Sequence, residues 1–489
     1  MISRSLIAGV DSSTQSCKVE LRHVETGGLV ASGSAPHPPV RPPSSEQNPE
    51  DWWVAFVAAF RSAFSAAGAT PSSIAGISIA AQCHGLVALD ASDSVIRPAK
   101  LWNDTTSTPE LMQLREQIGD ERFVREVGTL PTAAFTISKI AWLSAHEPYN
   151  FARATHFLLP HDYLTFGLTG EKVTDRSEAS GTGYFNAATN QYLPDFLRLI
   201  DADRDWLAQV PTVLSPDASA GYVLPDALEQ LGLEGHIVVG AGGGDQHAAA
   251  LGLGIASGDL VYSFGTSGVV SALSRTPVLD IEGEVDGVAD MTDGFMPLVS
   301  TLNAAKVTDT FARILGVDHD ELSRLALQAP ASEVGPVLAA YLDGERTPNR
   351  PGATGLLSGI STDTTREEVA RAAYEGVLLG LVRGQRAMER MGVLTSGRVF
   401  AVGGGARSAA YTQLLADRLG RTILTADVPE ATARGAAVQA AAVVAGVSVM
   451  SIRDAWAPAT SVVAEPRSTD RDPWAAYLAV ASVTELDTT

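Results

Sequence analysis

The stretch SLIAGVDSSTQSCKVELRHVE, residues 5–25, decides how this chain is read. An apolar run ends on a carboxylate at Asp11, SSTQS supplies a polar turn, and CKVELRHVE alternates apolar with polar residues as a half-buried strand does. The pattern predicts a β-hairpin with a polar tip. DLVYSFGTSGVVSALS, residues 259–274, repeats the plan: an apolar run from Leu260 to Phe264, a turn at Gly265, Thr266, Ser267 and Gly268, and a second apolar run. Two hairpins of one design, about 250 residues apart, imply two related domains.

Further elements fit that reading. RVFAVGGGARSAAYTQLLADRLG, residues 398–420, is a strand and glycine turn leading into a helix with Leu414, Leu415 and Leu419 on one face. NPEDWWVAFVAAFRSAFSAAG predicts a helix capped by Asn48, with Pro49 at its first position and Gly68 at its end. A long helix starts near Thr364 or Thr365 with carboxylates in its first turn. Strands alternating with helices predict α/β domains whose sheets are covered on both faces. The boundary is expected after a glycine-rich segment near residue 250, giving domains 1–253 and 254–489, with the last helix able to return to the first.

Composition sets the class. A chain of 489 residues exceeds one core, and 45% apolar with 19% charged residues describes an ordinary globular protein. A net charge of −21 argues against nucleic-acid and anionic-membrane partners, which need clustered Lys and Arg. The two cysteines, Cys17 and Cys83, form no CxxC, and the nine histidines share no metal-ligand spacing, so neither a disulfide framework nor a transition-metal site is expected. MISRSLIAGVD is too short in its apolar run for a signal peptide, and GAAVQAAAVVAGVSVM falls short of a membrane span, so a cytoplasmic location is expected.

GAGGGDQHAAALGLG, residues 240–254, places Asp245 in a stretch otherwise built from small and apolar residues apart from Gln246 and His247. A lone carboxylate there is either a helix cap or a chemical group, and the two are compatible. Glycine turns expose successive N–H groups as anion sites, and three such turns occur. GxxxxGK[ST] is absent, and GLGIASG fits a dinucleotide fingerprint only loosely.

In order, GVDSSTQSCKVE, AQCHG, LWND, LLPHDYL, GGGDQ, SFGTSGVV, YLDGERTPNRPGATGLLSGI, AVGGGARS and EATARGAAVQAA resemble the FGGY family of carbohydrate kinases across residues 6–445. The resemblance implies two actin-like (ribonuclease H-like) α/β domains with a ligand cleft between them, ATP and Mg²⁺ as cofactors, and a small sugar as substrate. It makes Asp245 the general base and Asp11 the carboxylate on the magnesium side. Sugar contacts would come from Gln82, Cys83, His84, Trp102, Asn103, Asp245 and Gln246, although Trp102 alone could equally be core. Cys83 stands where methionine is usual. ATP contacts would come from Ser13, Thr14, Gln15 and Lys18, from Gly265, Thr266 and Ser267, and from Gly404, Gly405 and Ala406. Close helix packing is the competing reading of the last glycines and of residues 430–437. Ser13 and Ser16 replace glycines of the family's first hairpin, so any φ > 0 there would be strained. Glu345 and Arg346 are read as stabilising the region between the domains, and His247 is unassigned. The substrate expected is D-xylulose, phosphorylated at O5. Ribulose, gluconate, glycerol and a non-catalytic sugar- or nucleotide-binding regulator stay open, and the resemblance suggests a homodimer.

Overall fold

The computed structural model describes residues 4–330, 335–468 and 471–483. Its first sheet runs in the order Ser219–Tyr222, Val238–Gly240, Ile74–Ala81, Leu6–Ser12, Ser16–His23, Leu29–Pro36, with Gly243–Gly244 also paired to Ile74–Ala81. The hairpin predicted at residues 5–25 is its centre: Leu6–Ser12 pairs antiparallel with Ser16–His23 and parallel with Ile74–Ala81. The second sheet repeats this plan. Its order is Asp286–Ala289, Phe295–Thr301, Gly268–Ala272, Leu260–Phe264, Val399–Val402, Ile423–Ala426, Thr460–Ala464. Here too an antiparallel hairpin, Leu260–Phe264 with Gly268–Ala272, joins a parallel neighbour, Val399–Val402.

Local signals act where the sequence places them. The Asn48 side chain accepts the Glu50 N–H, Pro49 opens the helix Pro49–Ala67, and Gly68 ends it in the left-handed conformation. Thr365 and Glu368 form a reciprocal capping box at the start of Arg366–Arg390. Leu414 and Leu415 are buried in the core of the second domain, with Leu419 packed against it.

The strand Ser16–His23, expected to be half-buried from its alternation, is not. Only His23, at its end, is exposed, and Glu20 and Arg22 are buried together as an ion pair at 2.7 Å. Register explains this. Val10, Val19 and Gly33 lie side by side and face Pro49–Ala67, so that a Cβ on Gly33 would lie 2.2 Å from the Ala59 carbonyl oxygen. Gly9, beside Glu20, faces the other way, and a Cβ there would lie 1.9 Å from the Ala433 carbonyl oxygen. That second face is covered by the helix Ala431–Ala445, which lies beyond the second domain's hairpin in sequence but packs on the first sheet. The return to the first domain is therefore made by this helix; the last described helix, Trp474–Ser482, packs beside Val337–Ala339 in the second.

Ala431–Ala445 also crosses Asp245–Gly252 at close range. A Cβ on Gly435 would lie 1.8 Å from the Ala248 carbonyl oxygen, and one on Gly252 1.9 Å from that of Ala431. Close packing, and not an adenosine surface, thus explains the small residues of 431–437. Among the described residues no single helix is long and apolar enough to cross a membrane.

Candidate active site

The polar end of the first hairpin, the end of Ile74–Ala81 and the start of Asp245–Gly252 converge on one cavity of about 160 Å³. The first domain lines it with Thr14, Cys83, His84, Trp102, Phe135, Asp245, Gln246 and His247; the second supplies Asp286, Leu298, Ser300 and Arg346. Ligands in α/β proteins collect at strand ends of this kind.

Asp245 is the first residue of its helix, with Gly244 at the cap position. Its Oδ1 accepts the Gln246 N–H at 2.7 Å and the Cys83 thiol at 3.3 Å, so a cap-like bond and an open face toward the cavity coexist. Burial raises the Asp245 carboxyl above the ordinary carboxylate range, with the Cys83 and Gln246 bonds opposing the shift. The backbone leading to Asp245 is clamped. Gln439 donates to the Gly242 carbonyl at 3.0 Å and accepts the Gly242 N–H at 2.9 Å.

Asp11 is 5% exposed. Burial raises its carboxyl to about 7; the hydrogen bond from Ser13 lowers it, and the nearby charge of Asp245 raises it further. The Ser13 hydroxyl donates to Asp11 Oδ1. Neither Ser13 nor Ser16 has a positive φ, so the strain expected of the two serines is absent. Serine is accommodated because this backbone does not enter the left-handed region, and its hydroxyl orients the carboxylate.

His84 does adopt φ 64°. Strain at such a residue persists only where its surroundings enforce it. Its N–H donates to Glu178 Oε2 at 3.1 Å, its carbonyl accepts the Thr136 hydroxyl at 3.2 Å, and its ring stacks on Phe135 at 5.2 Å. Burial holds its pKa well below the usual histidine value, so the ring is neutral at pH 7. Trp102 is 45% exposed and donates from Nε1 to Thr14 Oγ1 at 3.0 Å, so it belongs to the cavity wall and not to the core.

Other expected contacts lie elsewhere. Gln82 is buried behind the cavity and donates to Gln47 Oε1 at 3.2 Å. Asn103 does not line the cavity, while its neighbour Asp104 is buried and accepts from Lys100 at 3.1 Å. Gln15 is exposed at the hairpin tip, and Lys18 pairs with Glu430 at 2.7 Å. Thr266 and Ser267 are exposed at the second tip. Gly404 and Gly405, but not Ala406, border a second cavity of about 620 Å³ in the second domain, beside Ser323, Tyr374 and Ser408. Glu345 accepts from the Asn303 side chain at 2.9 Å, within the second domain. Arg346 pairs with Asp286 at 3.4 Å and reaches the cavity itself.

Phe135, Glu178 and Asp286 were not anticipated. Glu178 and Asp286 lie beside the glycines at 181, 183, 283 and 287, but what places all three at the site is the chain packed opposite them, which no local pattern marks.

Two α/β domains of one plan, with Asp245 in the cavity that both of them line and the buried Asp11 within reach of its charge, have the architecture of the actin-like phosphotransferases. The model of the FGGY carbohydrate kinase N-terminal domain matches residues 6–252 and that of the C-terminal domain residues 260–444, and the chain belongs to this family. It is 39% identical to the xylulose kinase of Streptomyces rubiginosus over 96% of this chain and 94% of that one, and 34% identical to the xylulose kinase of Escherichia coli over 85% of each. The crystal structure of xylulose kinase from Bifidobacterium adolescentis superposes with a TM-score of 0.86 at 36% identity, covering 98% of this chain and 99% of that one. The protein is a carbohydrate kinase, with a sugar and ATP as its small-molecule partners.

Proposed function

We propose that this kinase transfers the γ-phosphoryl group of ATP to O5 of D-xylulose, with Asp245 as general base and Asp11 on the Mg²⁺ side. The observation that carries the reading is the nearness of these two carboxylates, one lining the cavity and the other buried. Asp245 opens on a cavity sized for a small sugar, and Asp11 stands close enough for the charge of Asp245 to raise it. Support for xylulose comes from the relatives, whose named substrate it is, over nearly the whole length of this chain.

In this reading His84, Gln246 and Trp102 hold the sugar. Asp245 accepts the O5 proton as the oxygen bonds to the γ-phosphorus; the bond to the β-phosphate oxygen breaks, and ADP leaves with the electron pair. Raising the Asp245 carboxyl above the usual range makes it a better proton acceptor. Asp11 is buried with no cation among its own bonds, a donor suited to Mg²⁺, which keeps most of its waters and needs few carboxylates. Magnesium supplies charge neutralisation of the transferring phosphoryl group. The cavity bordered by Gly404 and Gly405 would take the adenosine. A cytoplasmic site of action accords with sugar phosphorylation.

Coupled ADP release across ketoses, polyols and sugar acids tests this. D-xylulose should give the highest kcat/KM; glycerol or gluconate ahead by tenfold, about 1.4 kcal/mol in transition-state binding, would overturn the substrate. Asp245→Asn keeps size and can still cap, so it should lose about 10²–10⁴-fold in kcat while sugar and ATP still bind. Near wild-type kcat with a lowered Tm would reduce Asp245 to a cap.

A further inference from the structure

Beneath the sugar cavity, three side chains from distant segments close on one point. A Cβ added to Gly244 would lie 2.6 Å from His247 Nδ1, 2.7 Å from Glu178 Oε1 and 2.9 Å from Cys83 Sγ. The absence of a side chain at 244 is what lets them converge. Glu178 is fully buried and His247 is 4% exposed, and neither nitrogen of the His247 ring has a hydrogen-bond partner. A buried imidazole with two unsatisfied nitrogens is costly unless something binds it.

We propose that Cys83, Glu178 and His247 form a Zn²⁺ site at the floor of the sugar cavity, and that its occupation shuts the kinase off. The donor set is one thiolate, one carboxylate and one imidazole. That mixture suits Zn²⁺ over Mg²⁺, and its two negative charges balance the cation in a buried position. The three donor atoms lie within 4.8 Å of one another, against about 3.5 Å in a tetrahedral zinc site, so about 1 Å of side-chain adjustment completes the shell. Cys83, which is partly exposed, and His247 both line the cavity, which gives the ion its route in and leaves room there for a water as fourth ligand. The spacing of the histidines gives no hint of this, because the ligands come from residues 83, 178 and 247.

Binding forms a sulfur–zinc bond and sends the thiol proton to solvent. That proton is the one Cys83 donates to Asp245 Oδ1, so the site and the carboxylate are in direct contact. Zinc binding removes that thiol hydrogen bond from Asp245 and draws Cys83 and His247, both of which line the sugar cavity, toward the metal, so the carboxylate loses a positioning contact and the cavity wall shifts. The inhibition rests on Asp245 being the base; the binding does not.

Two measurements on the full chain keep these apart. Titration with Zn²⁺ against a fluorescent zinc indicator should show one equivalent per chain. With Co²⁺ as probe, a thiolate-to-cobalt charge-transfer band should appear. Cys17 is fully buried, so Cys83→Ser should abolish the band. Cys83→Ser, His247→Ala and the isosteric Glu178→Gln should each weaken Zn²⁺ binding at least about tenfold. Should Glu178→Gln fail to fold, the other two decide. No band, or Zn²⁺ bound as tightly by Cys83→Ser as by the parent, overturns the site. Turnover should fall as the site fills and return on chelation. Full turnover with zinc bound overturns the inhibition and counts against Asp245 as base, while the site itself stands.

Discussion

Asp11→Asn should stabilise the protein in alkaline solution while removing its activity. In the folded chain the Asp11 carboxyl is raised to about 7 from its ordinary 3.8. Between those two values the folded state holds a proton that the unfolded chain has lost, so stability falls as pH rises through that window and levels off above it. At about 1.4 kcal/mol per pKa unit the ionised carboxylate costs the fold about 4 kcal/mol by pH 8, but only about 1 kcal/mol at pH 4.5. Asparagine keeps the size and can still accept from Ser13, but carries no charge to desolvate. Urea denaturation without nucleotide or Mg²⁺ should therefore show the variant gaining about 4 kcal/mol over the parent at pH 8 and about 1 kcal/mol at pH 4.5. Turnover should be lost at both. A gain independent of pH, or a variant less stable at pH 8, would refute a buried, destabilising Asp11.

Ser13→Ala removes the hydroxyl that lowers Asp11, so the acidic limb of kcat/KM for MgATP should move up by about 0.7 unit, the equivalent of about 1 kcal/mol; an unmoved limb would free Ser13 from that role. Gln439→Leu strands both polar groups of Gly242 beneath the strand end that carries Asp245, and should cost about 2–4 kcal/mol in urea denaturation; a neutral result would mean the clamp is idle. Gly435→Val drives a side chain into the Ala248 carbonyl and should lower Tm by several degrees with loss of turnover, measured by calorimetry and ADP release.

Much of the fold was readable because its signals are local. Asn48, Thr365 and the two hairpins are fixed by neighbours a few residues away. Asp245 stood out because a single acid in a glycine-rich run is rare in both solvated loops and strand interiors. What escaped depends on long-range placement. The Glu20 and Arg22 side chains alternate with apolar neighbours as if facing water, and only a helix about 410 residues later in sequence, about 100 times farther than a cap reaches, covers them. The same holds for Glu178 and Phe135, whose roles arise from what lies opposite. Arg346 carried a charge that could be noticed in sequence, but its direction into the cavity depends on the pairing with Asp286 across its own domain.

The helix Ala431–Ala445 has a consequence for how the chain must be made. A ribosome releases the first sheet's strands, Leu6–Ser12 through Gly243–Gly244, long before this helix. Until then the Gly9 and Glu20 face, with its buried ion pair, has no cover. The N-terminal half is therefore an unfinished body throughout most of synthesis, and cutting the chain between the domains would yield not two independent proteins but one with a bare sheet and another with a stranded apolar helix.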